Sequence, residues 1–220
     1  MQIDIEKIKD AQHILIVTDR VSFANASVLY SCMLSLHKKV SLQNREALNT
    51  NLSFLPWFDK SRQNRPSTAD YIIEVDTETL GLYAFLLENN FKINQKMATA
   101  LYTGLLMRYD NFMSNQCDGK VFALVSELLK LNANKPLCHE YLLHRVPLGL
   151  MRLKERLLKS LLLKDDARLA VVSICDDDLR STNTKMLDAF NIMREFLTIV
   201  HVEKVTLIKS DENSKIIKEI

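Results

Sequence analysis

Residues 13–42 constrain the fold more than any other stretch, because a strand, a helical segment and a second strand follow one another directly. The apolar, β-rich run Ile14-Leu15-Ile16-Val17 ends at Thr18-Asp19. A small and polar stretch, residues 20–27, leads into a helical pattern carrying Val28, Leu29, Cys32, Met33 and Leu36, and Val40-Ser41-Leu42 follows as a strand. Two parallel strands need such a crossover, so the pattern predicts a parallel α/β unit. Its ligand crevice lies outside the carboxyl ends of the strands, here at Asp19 to Asn25.

The rest of the chain extends this architecture. Residues 51–70 lack clear periodicity and read as a connecting loop with a helical turn, ahead of the strand candidate Tyr71-Ile72-Ile73-Glu74-Val75. Asn94 is expected to cap a helix with Met97, Ala98, Leu101, Tyr102, Leu105 and Leu106 on one face. A second helix starts near Asp118, with Val121, Phe122, Val125, Leu128 and Leu129 inward. Residues 148–162 form a third amphipathic helix and a hinge between domains. Residues 169–174 then read as a buried strand, 185–197 as a helix and 205–208 as a strand, a small α/β unit.

Composition narrows the function classes. A chain of 220 residues with 47% hydrophobic and 25% charged residues is globular material for one large or two small domains. A net charge of +2 does not by itself imply nucleic-acid binding. Only four glycines occur, so dinucleotide, nucleoside-triphosphate and serine-hydrolase glycine loops are absent. Four scattered cysteines without a Cys-x-x-Cys pair fit free thiols in a reducing compartment. With no signal peptide or membrane-length apolar stretch, a cytoplasmic protein that does not engage membranes is expected.

The first turn resembles a motif of the DHH (Asp-His-His) phosphoesterase family, the nano-RNase and phosphoadenosine-phosphate phosphatase type, whose strand runs into His-x-Asn-Pro-Asp-Gly-Asp-Ala. Laid on it, Asp19 takes the His position, Phe23 the first Asp, Ala24 the Gly and Asn25 the second Asp, while Ala26 matches. Phenylalanine cannot coordinate a cation, and an amide is a poorer ligand for Mn²⁺ or Mg²⁺ than a carboxylate. Residues 93–106 are similar to the family helix Ala-Thr-Ala-Leu-Tyr-x-Gly-Ile, with Arg108 at its metal-binding Asp and Phe112 at its Phe. Residues 146–153 and 167–179 look like the linker helix and the first strand of the DHH-associated domain. No histidine lies between His37 and His139, where the Asp-His-His triplet belongs, and no glycine follows Gly149, where the family has Gly-Gly-Gly-His. The resemblance therefore implies a degenerate member: a parallel-sheet, Rossmann-like DHH domain over 1–135, a linker helix region over 136–163 and a truncated associated α/β domain over 164–220.

Other constellations have structural explanations. Asp176-Asp177-Asp178 suits the start of a helix better than a metal. Arg145, Arg152, Lys154, Arg156 and Lys159, with leucines between them, look like the wet face of a core helix. Cys138, His139 and His144 lack a second pair at zinc spacing.

The expected function is that of a catalytically inactive DHH-type protein, a nucleotide-binding or regulatory and assembly subunit with no cofactor. Its vestigial site is Asp19, Asn25, Asp76 and Arg108, with Arg108 and Asn25 facing an anion, since an arginine in place of an acid turns a cation site into an anion site. Asp76 answers either to the family's lone strand-end Asp or to a residue beyond a deleted triplet. The expected partners are a nucleotide or short oligonucleotide, a second copy, or an intact family relative. The alternative is a residual Mn²⁺- or Mg²⁺-dependent phosphoesterase acting on short oligonucleotides or phosphoadenosine phosphate. It would use Asp19, Asp70, Asp76 or Asp110 in a rearranged site, and Asp19, Asn25 and Asp76 could also hold one weakly bound ion. A third expectation is a docking surface on the 148–162 helix.

Overall fold

Strand β1 (His13–Thr18) is buried along its whole length and carries the first sheet. It pairs in parallel with β2 (Lys39–Asn44) on one side and β3 (Tyr71–Glu74) on the other, giving the order β2-β1-β3. A central strand covered on both faces has no polar side to show, which is why it reads as a continuous apolar run. The computed structural model describes residues 3–66, 68–210 and 215–220; Ser67, within the expected connecting loop, lies outside the described residues. The chain divides into two compact units, Met1–Arg145 and Val146–Ile220.

In the first unit α1 (Ile5–Asp10) precedes β1, and α2 (Phe23–Ser35) makes the crossover to β2. α2 begins earlier than its apolar pattern suggests, so Phe23, Ala24 and Asn25 lie in the first helical turn instead of a loop. The small residues Ala24, Ala26 and Ser27 are fully buried there, and burial, not propensity, makes that turn helical. The 51–70 segment is a loop with short 3₁₀ turns at Thr50–Leu52 and Phe58–Lys60.

After β3, α3 (Thr79–Glu88) has no counterpart among the elements expected from sequence. α4 (Gln95–Arg108) begins where Asn94 Oδ1 accepts the N–H of Met97 at 3.0 Å, the expected cap. It has no wet face over 97–106: every residue there is buried, including Thr99, Thr103 and Gly104. α5 (Gly119–Lys130) starts at the Asp118 cap, but its inward stripe is Val121, Leu124 and Leu128. Phe122 and Leu129, expected inward, are exposed, because a helix packed on one side buries only a narrow i, i+3, i+7 stripe.

The short α6 (Lys135–His139) packs Cys138 against α4, where its thiol contacts Thr103 Oγ1 at 3.4 Å. Burial pushes that thiol up to about 11, so it stays protonated and unreactive. His139 Nε2 meets the Tyr102 hydroxyl at 3.0 Å. Partial burial, then the nearby Lys135 and His144, hold His139 below its usual 6.5. A histidine depressed in the folded state favours folding above the unfolded value and loses that contribution as pH falls through the folded one. Urea denaturation of the intact chain is expected to show stability dropping below about pH 6.5, and His139→Phe to flatten that drop. An unchanged slope in the variant would assign the effect elsewhere.

The second unit is a mixed sheet of order β4-β5-β6-β7 with helices packed on it. β5 (Leu169–Ile174) and β6 (Lys204–Lys209) are parallel, while β4 (Leu162–Lys164) and β7 (Lys215–Glu219) close the edges antiparallel. α7 (Leu148–Lys159) buries Leu153 and Leu157 in this unit's core, with α9 (Met186–Phe196) contributing Ala189, Ile192, Met193 and Phe196. α7 belongs to the second unit, and the division falls inside the 136–163 segment. Gly149 is needed on α7 because a Cβ there would stand 2.3 Å from the Thr182 carbonyl at the end of α8 (Asp176–Thr182). Among the described residues no helix is long and apolar enough to cross a membrane.

Candidate functional site

The carboxyl end of β1 opens into the turn that holds Asp19. Asp19 Oδ1 accepts the N–H groups of Val21 and Ser22 at 3.0 and 2.9 Å and the Ser22 hydroxyl at 2.7 Å. This is the way a short acid closes a turn on its own backbone, and it commits one carboxylate oxygen to structure. The other oxygen makes no hydrogen bond among the described residues.

Phe23 points away from any ligand. It is fully buried, edge-on to Phe58 with ring centroids 6.0 Å apart. A position that carries a metal-binding acid in the DHH motif is thus part of the core.

Asn25, 1% exposed, is clamped at both ends of its amide. Nδ2 donates to the Asp76 carbonyl at 2.9 Å, and Oδ1 accepts the Thr79 hydroxyl at 3.0 Å. Gly104 makes the clamp sterically feasible, since a Cβ there would stand 2.9 Å from Asn25 Oδ1 and 2.8 Å from Thr79 Oγ1. Asn25 therefore ties α2 to the 76–79 loop under pressure from α4. Both ends of the amide thus make structural hydrogen bonds within the first unit.

Asp76 and Arg108 meet on that same loop. The Asp76 carboxylate accepts the Glu78 N–H at 2.9 Å. Partial burial acts to raise this carboxyl, but hydrogen bonding, that of the Glu78 N–H included, outweighs it and, with only a minor contribution from the Arg108 charge, holds the group below its usual range. Arg108 donates to Thr77 Oγ1 at 2.7 Å and pairs with Glu78 Oε2 at 3.2 Å, with about a third of its side chain (32%) exposed. Its charge is therefore partly answered already, and an incoming anion would compete with Glu78 in a half-wet setting where such a pair is worth ~0–1 kcal/mol.

The expected quartet divides in two. Asn25, Asp76 and Arg108 share the 76–79 loop, whereas Asp19 is held by its own turn. Thr77, Glu78 and Thr79, which supply most of the contacts, carry no sequence signal, since single hydroxyls and acids after a strand are ordinary loop residues. Asp70 sits at the opposite end of the sheet, where it accepts the N–H groups of Gln12 and His13 at 2.9 and 3.0 Å. Those bonds lower its carboxyl below the usual range, and its place at the amino end of β1 removes it from any rearranged strand-end site. Asp110 lies in a left-handed turn after α4 with φ 45°.

Among the described residues no three His, Cys, Asp or Glu side chains converge in a way that could hold a metal ion. Asp178 caps α8 by accepting the Cys175 N–H at 2.9 Å. Three of the four basic residues of α7 are engaged as well: Lys154 with Glu195, Arg156 with Asp178 and Lys159 with Glu155.

No protein-family model matches the chain, and no curated protein does either. Solved structures do match. A Bacteroides fragilis protein described as exopolyphosphatase-related superposes with a TM-score of 0.73 at 14% identity, covering 94% of this chain and 78% of that one. A Methanococcus jannaschii protein named as a putative family II inorganic pyrophosphatase reaches a TM-score of 0.42 at 12% identity, over 90% and 83% of the two chains, too low to carry an argument. The chain thus has the fold of the Bacteroides protein, a mixed α/β architecture with a parallel sheet as its strand and helix pattern predicts.

Proposed function

We propose that this chain is a DHH-type, phosphoesterase-like protein that has given up two-metal hydrolysis and serves as a non-catalytic nucleotide-binding or assembly subunit. The observation that carries this reading is the fate of Phe23 and Asn25: one is buried core, the other has both amide ends engaged in structure. Two-metal hydrolysis needs ions to clamp the phosphoryl oxygens and to generate hydroxide, and neither side chain can hold one. Arg108 is the cation this reading assigns to a phosphate at the crevice, with Glu78 as the anion to be displaced. The partners of this reading are a nucleotide or short oligonucleotide, a second copy, or an intact relative, in a cytoplasmic setting that suits the buried thiols Cys32 and Cys138.

Purified full-length protein incubated with Mn²⁺ and short oligoribonucleotides, phosphoadenosine phosphate, pyrophosphate or polyphosphate is expected to release nothing above the protein-free rate. Turnover that Asp19→Ala abolishes would overturn the proposal. The second reading is residual metal-dependent hydrolysis, favoured by the uncommitted oxygen of Asp19. Mn²⁺ titration by calorimetry separates the two, since the first expects no saturable heat below about millimolar ion.

A further inference from the structure

On the far side of β2 from β1, residues 60–66 run alongside the strand and enclose a hollow of about 610 Å³. Arg62 fixes this segment in place: its N–H donates to the Leu42 carbonyl at 3.0 Å and its carbonyl accepts the Asn44 N–H at 2.8 Å. We propose that this hollow binds a nucleotide, with the phosphate held by Lys60, Arg62 and Arg65 and the base laid against the part-exposed Tyr30 and Val40.

Charge points to the ligand. Lys60, Arg62 and Arg65 all line the hollow, no carboxylate lines it, and none of the three makes an ion pair among the described residues. In a chain with 29 basic and 27 acidic residues, three unanswered cations at one hollow are a local excess that an anion relieves. Arg62 is also pre-set, because Nη1 donates to the carbonyls of Asp59 and Ser61 at 2.6 and 2.8 Å. A guanidinium held this way loses little freedom on meeting a phosphate.

The apolar part of the lining decides between bare phosphate and a phosphate carried on a ring. Tyr30, Val40 and Leu42 offer it an aromatic and aliphatic surface. The volume suits a ligand of one or two nucleotides and is far too large for inorganic phosphate. This site is distinct from the strand-end crevice and does not depend on Arg108.

Trp57, the sole tryptophan, reports on the site directly, since its ring lies 4.9 Å from that of Tyr30. Its fluorescence in the intact chain is to be titrated with AMP, the dinucleotide pApA, adenosine and inorganic phosphate. AMP or pApA is expected to give a saturable change, with adenosine and phosphate each at least about tenfold weaker. Lys60→Ala with Arg65→Ala is expected to lose at least tenfold in affinity and to reduce the salt dependence, while far-UV circular dichroism stays that of the parent. Arg152→Asp, on α7 in the second unit, is the control expected to leave this binding unchanged, whereas loss of binding in Arg108→Asp with retention in the double variant would move the ligand to the crevice and overturn the proposal. Absence of saturation at millimolar nucleotide, equal affinity for phosphate alone, saturation by a phosphopeptide but not AMP, or a double variant that binds like the parent would each overturn the proposal.

Discussion

Phe23→Asp, which places here the acid carried by the DHH motif that this turn resembles, is expected to leave the first unit unfolded at 25 °C. Removing a buried phenylalanine ring costs about 3–5 kcal/mol even when alanine replaces it. The introduced carboxylate adds several kcal/mol more, because its surroundings are Phe58 and the apolar core. Together these losses approach the ~5–15 kcal/mol that a domain has in total. Far-UV circular dichroism and a urea melt read the result, with Phe23→Leu as a control that keeps the apolar character and loses about 1–2 kcal/mol. A Phe23→Asp chain that melts within about 2 kcal/mol of the parent would mean that this position can open to solvent, and the case against a metal site would weaken with it. Such an outcome would mean that no single substitution at this buried position supplies a ligand without unfolding the core around it.

What is legible in the sequence follows from which physical signals are local. β1 and β5 are legible because central strands of parallel pairs need unbroken apolar runs, and the starts of α4 and α5 because Asn94 and Asp118 cap through their own side chains. The start of α2 is not, since Phe23-Ala24-Asn25-Ala26-Ser27 mixes weak and strong helix formers and is helical because tertiary packing buries it. β4 and β7 are short, exposed edge strands with no apolar alternation to announce them. At the site, the substituted positions are identifiable by type: a ring, an amide and a guanidinium. Their partners are not, because Asp76, Thr79 and Glu78 reach Asn25 and Arg108 across 51, 54 and 30 residues of chain, contacts that only the folded topology creates. The cationic hollow is equally hidden, for Lys60, Arg62 and Arg65 become one cluster only when their segment lies along β2.

Asn25→Asp is the second substitution toward the family motif, isosteric where Phe23→Asp is not, and it is expected to cost about 2–4 kcal/mol near neutral pH. The Thr79 hydroxyl can still donate to an aspartate oxygen, but the position of Nδ2 becomes an acceptor 2.9 Å from the Asp76 carbonyl. Two acceptors cannot share a proton that neither owns, so the new carboxyl gains by keeping its own and donating it to that carbonyl. Burial in the cleft left by Gly104 acts in the same direction, and the carboxyl is held above its usual range in the folded state. The sign follows: a group raised in the folded state keeps its full contribution below the unfolded value of about 3.9 and loses it as pH rises through the folded one. The gap between Asn25→Asp and the parent is therefore expected to be smallest near pH 4 and to widen toward pH 8 in urea melts at matched ionic strength. Thr79→Val serves as the comparison, because it leaves Asn25 Oδ1 without its donor at a cost of about 1–3 kcal/mol that does not vary with pH. A gap for Asn25→Asp that is flat across this range would mean that the carboxylate stays ionised with a counter-charge in the crevice. Added Mn²⁺ should then raise its midpoint, and a raised midpoint would identify the strand-end crevice as a cation site one substitution from function.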